Sequence, residues 1–148
     1  MRERGFSLLE LLVVLFIAGL LTSLSVAWVD GEQSAARQAL ERLAAAARSQ
    51  AGLAVHAGQV QGLRWTGERP EFVRQVEGDS QPAWQVEPVA LGDWPRELRP
   101  DWPASDEPRL VVSATGLVRG DALRWSWPGG AEVWRWDAQG RLQRTLQP

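Results

Sequence analysis

The sequence contains no cysteine, no tyrosine and no lysine, and it has a single histidine. Without cysteine, the chain forms no disulfide, thiolate-ligated zinc site, iron–sulfur cluster or thiol nucleophile. His56 alone supports neither a His-rich metal site nor a mechanism that needs two imidazoles. A Gly-rich phosphate loop, a nucleophile elbow and a paired metal motif are also missing. These absences predict a protein that is not an enzyme and that uses no metal and no cofactor.

The charges are nearly balanced but unevenly placed. The 16 basic residues, all arginine, stand against 18 acidic ones, so the formal net charge is −2. A chain with this balance has no overall basic field, and nucleic acid is not an expected partner. Glu10 is the only charged side chain in residues 6–29. At 148 residues, the composition predicts one small domain joined to an apolar segment.

Residues 6–29 form an apolar run that only Glu10 interrupts. As an α-helix, this run would be about 36 Å long, enough to cross a hydrocarbon core of about 30 Å. Arg2 and Arg4 precede it, so the positive-inside rule predicts a single-pass anchor with a cytoplasmic amino terminus. A carboxylate within such a run costs about 2.5–3.5 kcal/mol on insertion scales. We therefore expect Glu10 to have a partner.

Three interpretations of this run compete. A cleavable secretory signal would have a small-residue cleavage site at residues 25–27, but the apolar core of such a signal is usually shorter and uncharged. A plain single-pass anchor explains the length, but it does not explain Gly5, Phe6 or Glu10. The third interpretation, a processing and assembly signal, explains Gly5, Phe6 and Glu10 together, because it depends on the spacing of these three residues.

The segment GFSLLE at residues 5–10, followed by further apolar residues, resembles the class III signal of type IV pilins and type II secretion pseudopilins. The resemblance implies that a prepilin peptidase cuts after Gly5 and methylates the new amino terminus, Phe6. It makes Glu10 the fifth residue of the mature chain. The α-amino group of a neighbouring subunit's Phe6 can neutralise a buried carboxylate there, which would set the register between subunits.

The periodicity beyond the apolar run predicts an α+β fold. From Glu32 to Ala57, small and apolar residues recur at steps of three and four, which predicts an amphipathic helix that extends the anchor into one long spine. Gly58 is expected to end this helix. The helix should pack on a small, sandwich-like antiparallel sheet of six or seven strands. These strands are predicted at residues 60–65, 71–76, 83–89, 109–114, 123–127, 132–136 and 141–146, with an irregular Pro-rich loop at 92–108.

The later part of the chain resembles the H-type minor pseudopilin of type II secretion (GspH), whose domain family includes the FimT-type minor pilins. The resemblance lies in the long helix, a Thr-Gly turn at residues 115–116, a Trp-rich hairpin at 123–136 and a Gly-Arg-Leu sequence at 140–142. It implies a type IV pilin-like fold with four segments. These are a leader at 1–5, a transmembrane and filament-core helix at 6–29, its amphipathic continuation at 30–58 and a periplasmic β domain at 59–148.

The same resemblance implies a minor pseudopilin, located in the inner membrane and the periplasmic pseudopilus, that takes part in protein export. Its implied partners are the prepilin peptidase, the major pseudopilin and the other minor pseudopilins, with an exoprotein substrate or the secretin as further candidates. Residues 137–148 contain one acid, Asp137, and so lack the calcium loop of major pseudopilins, which indicates a minor subunit. The alternative is a FimT-like minor type IV pilin that serves pilus assembly or DNA uptake.

Tryptophan supplies a candidate partner surface. Trp94 and Trp102 lie in the Pro-rich loop, and exposed aromatic side chains mark interfaces, so these two residues are the predicted contact with another subunit. The tryptophans of the predicted hairpin are instead expected to fill the core, as cross-strand indole pairs do.

Arginine supplies a candidate basic strip near the carboxy terminus. Arg141 and Arg144, with Arg124 and Arg135 nearby, would contact DNA phosphates if they shared one face. The competing interpretation is a solvated strand edge guarded by charge.

Overall fold

One long helix, α1 (Leu8–Ala57), leads into the β domain. The computed structural model describes residues 8–147, without the side chains of residues 22–30 and 32. The 50 residues of α1 make it about 75 Å long. It continues without a break through Asp30 and Gly31, which confirms the prediction of one spine. Gly58 ends it with a φ of 62°, and the N–H of Gln59 donates to the carbonyl of Ala54 at 3.0 Å. Glycine suits this site because other residues are strained at positive φ.

The second half of α1 packs against the β domain through a face of small and branched side chains. The helix residues that join the main core cluster lie at steps of three and four, or next to one another: Ala36, Ala39, Leu40, Leu43 and Ala44. Three of these five residues are alanines, whose short side chains let the helix axis lie close to the strands. The two leucines fill the remaining space between helix and sheet. This confirms the amphipathic pattern that the sequence predicts.

Within residues 8–147, nine strands form two antiparallel sheets. The strands are β1 (Gln61–Trp65), β2 (Pro70–Val76), β3 (Ala83–Val86), β4 (Arg99–Pro100), β5 (Leu110–Val112), β6 (Val118–Arg119), β7 (Leu123–Trp127), β8 (Gly130–Trp136) and β9 (Leu142–Gln147). The five-stranded sheet has the order β3-β2-β1-β5-β6, and the four-stranded sheet has the order β4-β7-β8-β9. The α+β class with antiparallel sheets is therefore confirmed.

Two short strands depart from the prediction. Residues 92–108, expected to be an irregular loop, contain β4, which pairs with β7 so that Arg99 lies opposite Ser126. β6 also forms where no strand was predicted, and it pairs with β5. Strands of two residues are too short to show a two-residue period, so the prediction of six or seven strands is wrong. The predicted strand at 83–89 is also too long, since β3 ends at Val86.

The hairpin of β7 and β8 contributes the most deeply buried tryptophans of the core, Trp125 and Trp134. Alternate residues of β7, namely Leu123, Trp125 and Trp127, are buried, while the residues between them are exposed. The ring of Trp125 lies 5.9 Å from that of Trp134 in β8 and 6.3 Å from that of Trp65 in β1. Both contacts are edge-on, the geometry that aromatic rings prefer. The predicted hairpin and the prediction that its tryptophans fill the core are confirmed.

Candidate functional site

The first described turns of α1 leave apolar side chains uncovered. Every side chain from residue 8 to residue 21 is exposed in the isolated chain. Leu8 is 83% exposed, and Ile17, more than two turns further on, is still 50% exposed. The β domain covers a different part of the helix, where Ala36 is the first buried side chain that the structure describes. An apolar surface of this extent marks a site of contact with protein or lipid.

Glu10 lies within this apolar surface. It occupies the first described turn of α1, where the partial positive charge of a helix amino terminus favours a carboxylate. Its side chain is exposed between Leu9 and Leu11, and within residues 8–147 no ion pair includes it. Gly5 and Phe6, the predicted processing site, lie outside the described residues.

The predicted single-pass anchor at residues 6–29 is not confirmed. Across the residues that the structure describes, no helix combines the length and the apolar character needed to cross a membrane.

The expectation that Trp94 and Trp102 are exposed is wrong. Trp102 is only 8% exposed, and Trp94 is half-buried. Their rings lie 5.0 and 5.5 Å from that of Trp125, and the Nε1–H of Trp94 donates to the carbonyl of Leu98 at 3.0 Å. Because β4 pairs with β7, the Pro-rich loop is held against the sheet and its indoles join the core. Little of the Trp102 ring is left for a partner to contact, whereas part of Trp94 stays accessible.

Arg144 belongs to an internal ion-pair network. Its Nε donates to Glu132 at 2.5 Å, and its Nη1 donates to Glu41 of α1 at 2.6 Å. The Nε1–H of Trp134 donates to the same carboxylate of Glu132, and the guanidinium of Arg144 lies 5.7 Å from the centre of the Trp134 ring. Burial acts to lower the pKa of Arg144, but the hydrogen bonds to Glu132 and Glu41 outweigh it and raise the pKa. The network ties α1 to the four-stranded sheet.

The predicted basic strip is divided between two faces of the sheet. Arg144 lies opposite Trp134 in the register and shares the core face, whereas Arg135 lies opposite Gln143 on the other face. Arg124 is on that outer face too, opposite Val133. Side chains alternate along a strand, so Arg141 and Arg144, three residues apart, point to opposite faces. The prediction of a single strip that includes Arg144 is therefore wrong.

Arg141 is exposed and paired with a neighbour on its own hairpin. Its side-chain Nε donates to Asp137 at 2.9 Å, and its backbone N–H donates to the same carboxylate at 2.9 Å. The backbone hydrogen bond from Arg141 contributes most to lowering the pKa of Asp137 below its ordinary value, and the guanidinium adds to that effect. The carboxylate thus orders the turn between β8 and β9.

His56 has a local role at the end of α1. Its side chain is exposed, and its Nδ1 donates to the carbonyl of Gly52 at 2.8 Å. In the part of the chain that the structure describes, no three His, Cys, Asp or Glu residues are grouped so that they could hold a metal ion.

Sequence reasoning missed the acidic partners of Arg144. Glu132 is 5% exposed and lies two residues from Trp134, so it shares the inward phase of β8. An acidic residue at an inward position of a strand, beside core tryptophans, predicts a buried ion pair, because a buried charge needs a counter-ion. Glu41 is more than 100 residues away along the chain, and no local pattern predicts its contact.

Comparison with protein families gives one match, to the prokaryotic N-terminal methylation motif, over residues 1–26. Comparison with curated proteins and with solved structures gives no match. The matched residues include Gly5, Phe6 and Glu10, together with the first exposed apolar turns of α1. The chain therefore carries a prepilin-type amino-terminal motif, which supports a type IV pilin-like or pseudopilin subunit.

Proposed function

We propose that this chain is a minor pseudopilin of the H type in the pseudopilus of a type II secretion system. In this role it is made as an inner-membrane precursor with a cytoplasmic amino terminus. Prepilin peptidase cuts it after Gly5 and methylates Phe6. The mature subunit then joins a short periplasmic filament with the major pseudopilin and the other minor pseudopilins. Its function is mechanical and structural, since the filament moves exoproteins outward.

The observation that carries this proposal is Glu10 in an exposed apolar helix that begins with a prepilin-type motif. A helix that leaves both an apolar surface and a carboxylate uncovered is suited to pack among other helices that supply a cation. The α-amino group of Phe6 on a neighbouring subunit is that cation in the proposal. An ion pair in apolar surroundings is favourable only when both partners are present, so it selects one register of packing.

The position of Arg144 counts against the DNA-binding form of the alternative function. The DNA hypothesis needs Arg141 and Arg144 on one face, but Arg144 is turned inward to Glu132 and Glu41. A FimT-like subunit of a type IV pilus would carry the same motif and a similar fold, so the choice between the two systems depends on where the chain assembles.

Replacement of Glu10 tests the assembly step. Without the carboxylate, a neighbour's amino group would enter the apolar packing unpaired, at a cost of about 2.5–3.5 kcal/mol. Glu10→Ala should therefore reach the membrane at the wild-type level but fall at least about tenfold in sheared pseudopilus fractions. The measurement is quantitative immunoblotting of the membrane and filament fractions.

Glu68→Ala is the matched control, because Glu68 is an exposed acid of the β domain that no described ion pair includes. It removes the same charge and should leave incorporation unchanged. Recovery of Glu10→Ala in filaments at the wild-type level would overturn the proposed role of Glu10.

A further inference from the structure

Three arginines on the outer face of the four-stranded sheet fall in a diagonal that the strand register fixes. Arg99 in β4 lies opposite Ser126 in β7, and Arg124 is two residues from Ser126 along β7. Arg124 lies opposite Val133 in β8, and Arg135 is two residues further along β8. Because β7 and β8 are antiparallel, both steps run in the same direction across the sheet.

A fourth arginine continues the diagonal. Arg135 lies opposite Gln143 in β9, and Arg141 is two residues before Gln143. The N–H of Asp137 donates to the carbonyl of Arg141 at 3.0 Å, so the pairing of the two strands extends to this position. Each step crosses one strand spacing and two residues, which is about 8 Å. The four residues Arg99, Arg124, Arg135 and Arg141, here called the arginine row, thus span about 25 Å.

The arginine row is exposed and only lightly engaged within the chain. All four side chains are exposed, and Arg141 is 76% exposed. Arg124 donates to the side-chain oxygen of Gln147, and Arg99 donates to a backbone carbonyl. Of the four, only Arg141 has a carboxylate within 4 Å in the described chain. These guanidinium groups remain available to an external anion.

Within the four described strands, the outer-face positions other than the arginine row carry no acid. Asp101, which accepts a weak hydrogen bond from the N–H of Arg124, and Asp137 border the row. The other outward positions of the four strands carry no charge, and they are Ser126, Ala131, Val133, Gln143, Thr145 and Gln147. Along the described strands, four guanidinium groups stand against the two bordering carboxylates, so this part of the sheet is positive although the whole chain carries a charge of −2.

We propose that the arginine row docks an acidic stretch of another protein subunit in the assembly. Complementary charge across an interface orients the partner and excludes wrong ones. Arginine is also enriched in protein interfaces, because its fork binds carboxylates with two hydrogen bonds. A straight row of about 25 Å matches the length of a helix of about 17 residues or a strand of seven or eight. The inference rests on the proposed function, because the partner is a subunit of the same filament.

The face is less suited to nucleic acid. Proteins that bind single strands stack bases on exposed aromatic rings. The tryptophans of β7 and β8 all lie on the opposite, core-facing side of the sheet. Nucleic acid is therefore one outcome of the test rather than the expected ligand.

Site-specific photo-crosslinking in cells tests the docking surface. Thr145 is exposed, lies on the outer face opposite Val133 and has an uncharged side chain. A photo-reactive benzoylphenylalanine at this position in the full chain should form a protein adduct. Mass spectrometry of the crosslinked peptide should place the attachment among at least two carboxylates of another subunit.

Charge reversal then tests the arginine row itself. Arg124→Glu with Arg135→Glu should reduce the adduct at least tenfold, and the same residues changed to Gln should give an intermediate yield. The control, Arg69→Glu with Arg119→Glu, changes the net charge equally at two exposed arginines of the other sheet and its turn. This control should keep the adduct within twofold of its original yield. Tryptophan emission of each variant verifies the fold.

Three results would overturn the docking inference: no protein adduct, an adduct that charge reversal leaves unchanged, or an adduct that nuclease removes. These failures are distinct from failure of the proposed function. A chain that is cut after Gly5 and enters filaments without a row-dependent adduct would refute the docking surface alone. A chain that is never cut there would refute the pseudopilin proposal.

Discussion

Removal of the Arg144 side chain should destabilise the folded protein more than removal of any exposed arginine. In the intact protein the side chain of Glu132 is 7% exposed, and Arg144→Ala leaves it with only the indole N–H of Trp134 as a described partner. Breaking a buried pair from one side costs about 3–5 kcal/mol. The side chain of Arg144 is 22% exposed, so water screens part of the interaction. We therefore expect a loss of about 3 kcal/mol in the free energy of unfolding.

The assay is urea unfolding of the full chain in mild detergent, followed by tryptophan emission. With a urea dependence of about 1.5 kcal/mol per molar, a loss of 3 kcal/mol lowers the midpoint by about 2 M. The control is Arg109→Ala, because Arg109 pairs with Asp121 at 2.7 Å but the two side chains are 47% and 79% exposed. Exposed pairs contribute about 0–1 kcal/mol, so this variant should shift the midpoint little.

Removal of both charges distinguishes the cost of an unpaired Glu132 from the net contribution of the ion pair. Replacing Arg144 with Met and Glu132 with Leu together leaves no unpaired charge, and such exchanges are often neutral or stabilising. We expect the double variant to be more stable than Arg144→Ala by at least about 2 kcal/mol. Equal stability of Arg144→Ala and Arg109→Ala would refute the reasoning, because it would mean that Glu132 does not depend on Arg144.

Further predictions concern the turn and two glycines. The lowered pKa of Asp137 stabilises the fold above the ordinary value of 3.8, and this contribution is lost as pH falls through the lowered pKa. Asp137→Asn should therefore flatten the fall in urea midpoint between pH 5 and pH 2, and an unchanged slope would contradict it. Gly62→Ala should destabilise the protein by about 1–3 kcal/mol, because the new Cβ would lie 2.7 Å from the Cβ of Pro108. Gly52→Ala should stabilise α1 by about 0.5–1 kcal/mol, because its Cβ would meet nothing within 4 Å. The same unfolding assay measures both variants. If both changes in the free energy of unfolding had the same sign, the packing argument would be refuted.

The regular elements follow from local pattern. The steps of three and four between Ala36, Ala39 and Leu43 place α1, and the alternation around Trp125 and Trp127 places β7. β4 and β6 could not be predicted in this way, because each has two residues and depends on a partner strand.

The candidate site was predictable only in part. Arg141 and Arg144 are three residues apart, and strand alternation alone separates their faces. Arg144 is also in phase with Leu142 and Leu146 of β9, a pattern that favours the inward face. The predicted basic strip already held three members of the arginine row, namely Arg124, Arg135 and Arg141. Arg99 was not predictable, because it joins the row only through the pairing of β4 with β7. The predicted exposure of Trp94 and Trp102 was wrong, because the composition of a loop does not determine which way the loop folds.

The amino terminus of the mature protein gives the most direct test of the central claim. Intact mass and amino-terminal sequencing of the chain purified from its native membrane would identify the cleavage site. The account predicts a chain that starts at N-methylated Phe6, cut after Gly5, in accord with the motif at residues 1–26. A chain that starts at Trp28, after the small residues 25–27, would identify an ordinary secretory signal and contradict the pseudopilin proposal.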